Sequence, residues 1–215
     1  YSTCINGGYY RGQAMKILAE ALDRYDVDGL FFNMFGNPSS DYSGNPTGHC
    51  HCDSCKRRFQ ERFGRPLPSV PDADYRRFLE DSAFEVARSI ADLIHSRRPR
   101  AGFFTYLQEH VDGIMSESNT SLDRTMPWPY ASSDNVNRGR NSQPGKMAVD
   151  LSIGFVAISN RFVTVPPAEI QLRAWQNMAH GGGPTFVALG TLDQEDMTGI
   201  NAARPVFRWH AEHAD

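Results

Sequence analysis

The residues best suited to chemistry are the four cysteines. Cys50-His51-Cys52-Asp53-Ser54-Cys55 reads Cys-x-Cys-x-x-Cys, and Cys4 stands far upstream, just before the first expected helix. Thiolates are soft ligands, and three in one short run with a fourth brought in by the fold match a closed tetrahedral zinc site. Such tight spacing suits a metal better than a disulfide framework. Four thiolates leave no open position for a reactive water, so this zinc would hold the chain rather than enter a chemical step. His49 and His51 are the substitutes should Cys4 lie elsewhere, and buried free thiols are the plain alternative. A redox role for Cys52 and Cys55 lacks the thioredoxin-like surroundings it needs. Reduced cysteines point to a cytoplasmic setting.

The elements that must carry these residues alternate between helix and strand. Ala14, Ile17, Leu18, Ala21, Leu22 and Tyr25 follow the helical period, and Asp28-Gly29 then opens the apolar run Leu30-Phe31-Phe32. A long amphipathic helix from Phe78 to Ile94 stops at Pro99, and Ala101 to Leu107 reads as the next strand. Ile114-Met115 is a short strand before a helix from about Pro129 to Asn141, and Met147 to Ile158 holds another strand. A helix over Pro166 to Ala179, a strand over Thr185 to Leu189 and a helix over Ala202 to His213 complete five β/α units. Strands apolar on both faces between helices predict a parallel sheet covered on both sides.

A Rossmann-like open sheet is disfavoured because Gly181-Gly182-Gly183 precedes its strand and reads as a helix cap. Long loops follow the C-terminal ends of the strands, where a barrel builds its active site. The fold class is therefore α/β, with residues 1–215 forming the C-terminal portion of a (β/α)₈ TIM barrel whose first three strands lie upstream. Two open sheet edges and an apolar interior predict either a longer polypeptide or association with another copy, a homo-oligomer. A net charge of −3 gives no footprint for nucleic acid or anionic membrane, and the apolar runs are too short to span a bilayer.

Specific segments carry a resemblance. Asp28-Gly29-Leu30-Phe31-Phe32-Asn33, followed by a polar loop, Cys50-x-Cys52-x-x-Cys55 and Phe63-Gly64, resembles the fourth-strand region of family 42 β-galactosidases and the related hypothetical glycosyl hydrolase family 6. In the former, a cysteine ahead of the third helix joins the same motif to bind zinc, and Cys4 falls at that place. Glu117-Ser118-Asn119, Asp134-Asn135-Val136 and Ala179-His180-Gly181-Gly182-Gly183-Pro184 are similar to the second group. The resemblance implies a carbohydrate substrate and cleavage of glycosidic bonds by two carboxyl groups, about 5 to 5.5 Å apart for retention or 6.5 to 9.5 Å for inversion.

Departures matter here. The family acid/base is a Glu after Asn, whereas this chain has Asn33-Met34, so that role does not carry over. Asp150 lies inside its apolar run, facing either core or helix. Glu117 is the first catalytic candidate, at a short strand's mouth beside Asn119; its alternative is a loop acid pairing with Arg124. Asp193 is the second, with capping of the final helix as its alternative. Asn33, Glu109 and Asn119 are candidate sugar contacts, and Trp128 a candidate stacking platform against plain aromatic packing. A non-catalytic carbohydrate-binding barrel is the competing reading, whereas a serine hydrolase lacks its nucleophile elbow around Ser39-Ser40.

Overall fold

The computed structural model describes residues 3–33, 35–36, 40–41, 44–118, 128–157, 160–191 and 193–213, with only the backbone of residue 128. The chain divides into two compact units, Tyr1–Asp112 and Gly113–Asp215. Among the described residues no helix is long and apolar enough to cross a membrane.

In the first unit a π-helical turn, Tyr9–Gln13, leads into α1 (Ala14–Arg24), followed by β1 (Gly29–Phe31), α2 (Asp53–Phe63), α3 (Ala73–Arg97) and β2 (Gly102–Thr105). β1 and β2 pair in parallel, with Leu30 opposite Phe103. Gly29 and Gly102 face each other because the Phe104 ring lies over them. A Cβ on Gly102 would sit 2.5 Å from that ring, and one on Gly29 would meet the Gly102 carbonyl at 2.7 Å. Arg98 fastens the end of α1 by donating to the Leu22 carbonyl at 3.1 Å and the Tyr25 carbonyl at 2.9 Å. The Asp72 carboxylate caps α3 by accepting the Tyr75 N–H at 2.8 Å.

One element here departs from expectation. No helix is expected from the sequence between Leu30-Phe31-Phe32 and Phe78, yet α2 begins at Asp53, with Cys52 as its N-cap residue. Cys55, Phe59 and Phe63 recur at four-residue spacing and supply its apolar stripe. Cys55 and Phe59 are buried with Tyr75 and Phe78 of α3 in one cluster. Full burial of a side chain like Phe59 contributes about 2 to 3 kcal/mol.

The second unit runs β3 (Gly113–Ser118), a 3₁₀ turn (Trp128–Tyr130), α4 (Ala131–Ser142), β4 (Met147–Ser152), α5 (Pro167–Ala179) and α6 (Thr198–Glu212). β3 and β4 pair in parallel along their whole length, from Gly113 opposite Met147 to Ser118 opposite Ser152. Their even-numbered positions face helix: a Cβ on Gly139 of α4 would meet Ala148 at 3.1 Å and Ile114 at 3.5 Å. Period two then turns Met115, Glu117, Val149 and Leu151 to the opposite face.

The strand expected over Thr185 to Leu189 contracts to a parallel bridge, Ile153 with Val187. The Gly154 N–H donates to the Val187 carbonyl at 3.0 Å, and the Val187 N–H to the Ser152 carbonyl at 2.8 Å. Pro184 and Gly190, the latter at φ 103°, bound the run and leave it no room to lengthen. α6 starts at Thr198, four residues before the expected Ala202, which moves Pro205 from the first helical turn into the helix interior. The fold is α/β, with parallel strand pairs and helices in each unit.

Candidate metal centre and strand-end carboxylates

The N-terminal segment and the start of α2 bring four sulfurs together. Sγ atoms of Cys4, Cys50, Cys52 and Cys55 all lie within 4.8 Å of one another. Cys4 is 3.4 Å from Cys55 and 3.6 Å from Cys52, close to the ~3.8 Å edge of a tetrahedron with ~2.3 Å metal–sulfur bonds. The donor set and its spacing can thus hold a metal ion. His49 and His51 stand outside the four-sulfur group, with their Nε2 atoms 2.6 Å apart.

Local folding explains the convergence. Cys52 is the N-cap residue of α2, which puts Cys55 in the first helical turn, on the buried side with Phe59. The Cys50 N–H donates to the Tyr75 hydroxyl of α3 at 2.9 Å, fixing the segment ahead of the helix. Cys4 is held by a backbone turn in which the Gly7 N–H donates to the Cys4 carbonyl at 2.9 Å.

The protonation pattern follows from this crowding. The hydrogen bond from the Cys55 thiol pulls Cys4 down to about 5, and the same contact pushes Cys55 far above the ordinary thiol range. Burial, foremost among several causes, raises Cys50 to about 11. These shifts favour a thiolate at Cys4 and thiols at Cys55 and Cys50. A bound cation would be needed to favour four thiolates.

The candidate carboxylates have a different setting. Glu117 lies within β3, not beyond it as expected, because the strand extends to Ser118; its side chain is exposed on the face opposite α4. Asp193 is exposed in the connection to α6, and the Thr191 hydroxyl, then its own N–H, hold its carboxyl below the usual range. The N-cap residue of α6 is Met197, and the carboxylate just before it, Asp196, accepts the Thr198 N–H at 2.9 Å. Asn33 follows β1 and Glu109 follows β2, both exposed. Asn119, Arg124 and the side chain of Trp128 lie outside the described residues.

Sequence reasoning missed a buried polar cluster behind Glu117. Asp150, 1% exposed, accepts from the Ser118 hydroxyl and from Asn135 Nδ2, each at 2.7 Å. Burial, outweighing these bonds, raises its carboxyl above the ordinary range. Asn135 also donates to the Glu117 carbonyl at 3.1 Å, and Arg173 to the carbonyls of Ser118 at 3.2 Å and Ile153 at 2.9 Å. Glu169 pairs with Arg173 one helical turn away. A lone Asp in the apolar run Met147 to Ser152 was the available signal; its even position in the ladder gives it to the helix side.

Comparison with known proteins adds the fold. The structure is similar to α-L-fucosidase isoenzyme 2 from Paenibacillus thiaminolyticus, with a TM-score of 0.68 and 14% identity over 97% of this chain and 30% of that one. It is also similar to β-galactosidase from Bacillus circulans sp. alkalophilus, with a TM-score of 0.61 and 17% identity over 96% of this chain and 40% of that one. The chain thus spans well under half the length of either enzyme. No family model and no curated protein matches the sequence. What is shared is a glycosidase-like fold.

Proposed function

We propose that this chain is part of a (β/α)₈ glycosidase-like barrel that cleaves glycosidic bonds in oligosaccharides, stapled by a structural zinc on Cys4, Cys50, Cys52 and Cys55. The observation that carries the reading is the fold match over nearly the whole chain to two glycoside hydrolases. Fold by itself does not fix function, so the chemistry rests on particular side chains. Glu117, exposed on the strand face away from the helices, is the proposed first catalytic carboxyl, and Asp193, kept ionised, the second. Asn33 and Glu109, each just beyond the C-terminal end of its own strand, are proposed sugar contacts, as are Asn119 and Trp128. The four-thiolate set would supply rigidity and no reactive water.

Met34, standing where the resembling family carries its acid, favours one competing reading, a barrel that binds sugar without cleaving it. The test is turnover of the full-length polypeptide on a broad panel of aryl glycosides, with sugar binding measured in parallel. Hydrolysis of any member supports the enzyme reading. Binding without hydrolysis across the panel replaces it with the binding barrel, and neither activity removes the carbohydrate reading.

A further inference from the structure

We infer that Asn6 is the positioning residue of the metal centre, giving two N–H···S hydrogen bonds that spread the charge of the thiolates. The inference rests on the metal reading above. A divalent ion on four thiolates leaves a net double negative charge that the protein must stabilise out of water. Asn6 is 3% exposed and stands directly against the sulfurs. Its backbone N–H donates to Cys4 Sγ at 3.3 Å, and its side-chain Nδ2 to Cys55 Sγ at 3.6 Å.

The orientation of the amide is fixed by its other partners. The Ser82 hydroxyl donates to the Phe78 carbonyl at 2.6 Å, so toward Asn6 it can only accept, and it does so from Nδ2 at 3.1 Å. Arg11 has only donors and donates to Asn6 Oδ1 at 3.0 Å. A flipped amide would set its oxygen against both the Ser82 oxygen and the Cys55 sulfur, and its nitrogen against a guanidinium. Both N–H groups of the amide and one lone pair of its oxygen are therefore used, and only one orientation uses them.

Arg11 is in turn paired with Glu85 of α3 at 3.0 Å, and Glu85 also pairs with Arg58 of α2. The amide thus ties the sulfurs to α3 through Ser82 and, by way of Arg11 and Glu85, to both helices. Outer partners of this kind typically change metal affinity by about 10–100-fold. Asn6→Asp is the sharpest variant: it keeps the shape and the Arg11 contact but removes the donor and brings a carboxylate oxygen to the thiolate.

The experiment measures zinc content as purified and zinc transfer to a competing chelator, for wild type, Asn6→Ala, Asn6→Asp and Ser82→Ala. Expected are one zinc per wild-type chain, a 10–100-fold affinity loss in Asn6→Ala, an equal or larger loss in Asn6→Asp, and a smaller loss in Ser82→Ala, because Ser82 contacts the amide and no sulfur. Wild type without zinc would sink the metal reading itself. Wild type with zinc, and Asn6 variants that hold it as tightly, would overturn the role of Asn6 alone. Should the Asn6 variants fail to fold, wild-type protein loaded with an NMR-active cadmium isotope decides the matter. A scalar coupling from the metal to the Asn6 side-chain N–H is expected, and its absence overturns the inference.

Discussion

The sulfur cluster of the first unit and the end of β3 in the second both concentrate polar groups, but they spend them in opposite ways. Around Cys4, Cys50, Cys52 and Cys55 the neighbouring donors turn inward: both N–H groups of the Asn6 amide are used, and the Cys50 N–H is met by Tyr75. At the end of β3 the buried partners bind backbone and leave a carboxyl outside. Asn135 and Arg173 hold the carbonyls of Glu117 and Ser118 from the helix side, while the Glu117 side chain is exposed on the other. A closed polar site is suited to holding structure, whereas an exposed acid on a braced strand is suited to meeting a substrate.

If that contrast is right, the heaviest stability loss comes from the closed site. Cys55→Ser, which removes a fully buried thiol of the proposed metal centre, is expected to cost more than about 4 kcal/mol, the scale seen when a structural metal is lost. Chelator treatment of wild type should give a similar drop in the denaturation midpoint. A midpoint that ignores both would leave the cluster as four packed thiols and erase the contrast.

The open site should respond in turnover rather than in stability. Glu117→Gln keeps the shape and removes the titrating group, so on a cleaved glycoside it should lower kcat about 10²–10⁴-fold while thermal stability and sugar binding stay near wild type. Unchanged hydrolysis discards Glu117 as acid or nucleophile. A large loss of stability instead would show that the residue braces the strand, as its buried neighbours do.

Much of this was legible in the sequence, and the failures share a cause. Ala14, Leu18 and Leu22 announced α1, and Cys-x-Cys-x-x-Cys with Cys4 announced the sulfur group, because periodicity and ligand spacing are local properties. α2 is hidden because its stripe consists of Cys55, Phe59 and Phe63 among Lys56, Arg57, Arg58 and Arg62, and a cysteine in a ligand motif does not register as an apolar helix position. Asp150 could not be placed because a residue type does not say which face of a strand it takes; that depends on the register with β3 and on α4. The strand near Val187 was legible as an apolar run, but its pairing with Ile153 alone is a tertiary outcome.

The buried cluster behind Glu117 gives a middling effect with a pH signature. Asp150→Ala leaves Asn135 without one acceptor and is expected to cost about 2 to 3 kcal/mol at acidic pH, read by urea unfolding. Burial raises the Asp150 pKa above its unfolded value, so the folded state binds the proton more tightly. Its contribution is fully present below the unfolded carboxylate pKa and declines as pH rises through the folded one. Wild type should therefore lose stability relative to Asp150→Asn across that window, and a flat difference would mean the carboxylate stays charged.

The smallest effect tests whether the closed site depends on its helix as a whole. Gly64 ends α2 at φ 69°, where its N–H donates to the Gln60 carbonyl at 2.9 Å, and a Cβ there would meet nothing within 4 Å. Gly64→Ala therefore creates no clash and costs only the left-handed conformation, about 1 kcal/mol. Because the sulfurs gather at the other end of α2, that loss should appear in the unfolding free energy of the metal-loaded protein with zinc affinity unchanged. Weaker zinc binding in Gly64→Ala would mean that fraying at the last turn reaches Cys52 and Cys55, so that the metal centre depends on the full length of α2 and not on its first turn alone.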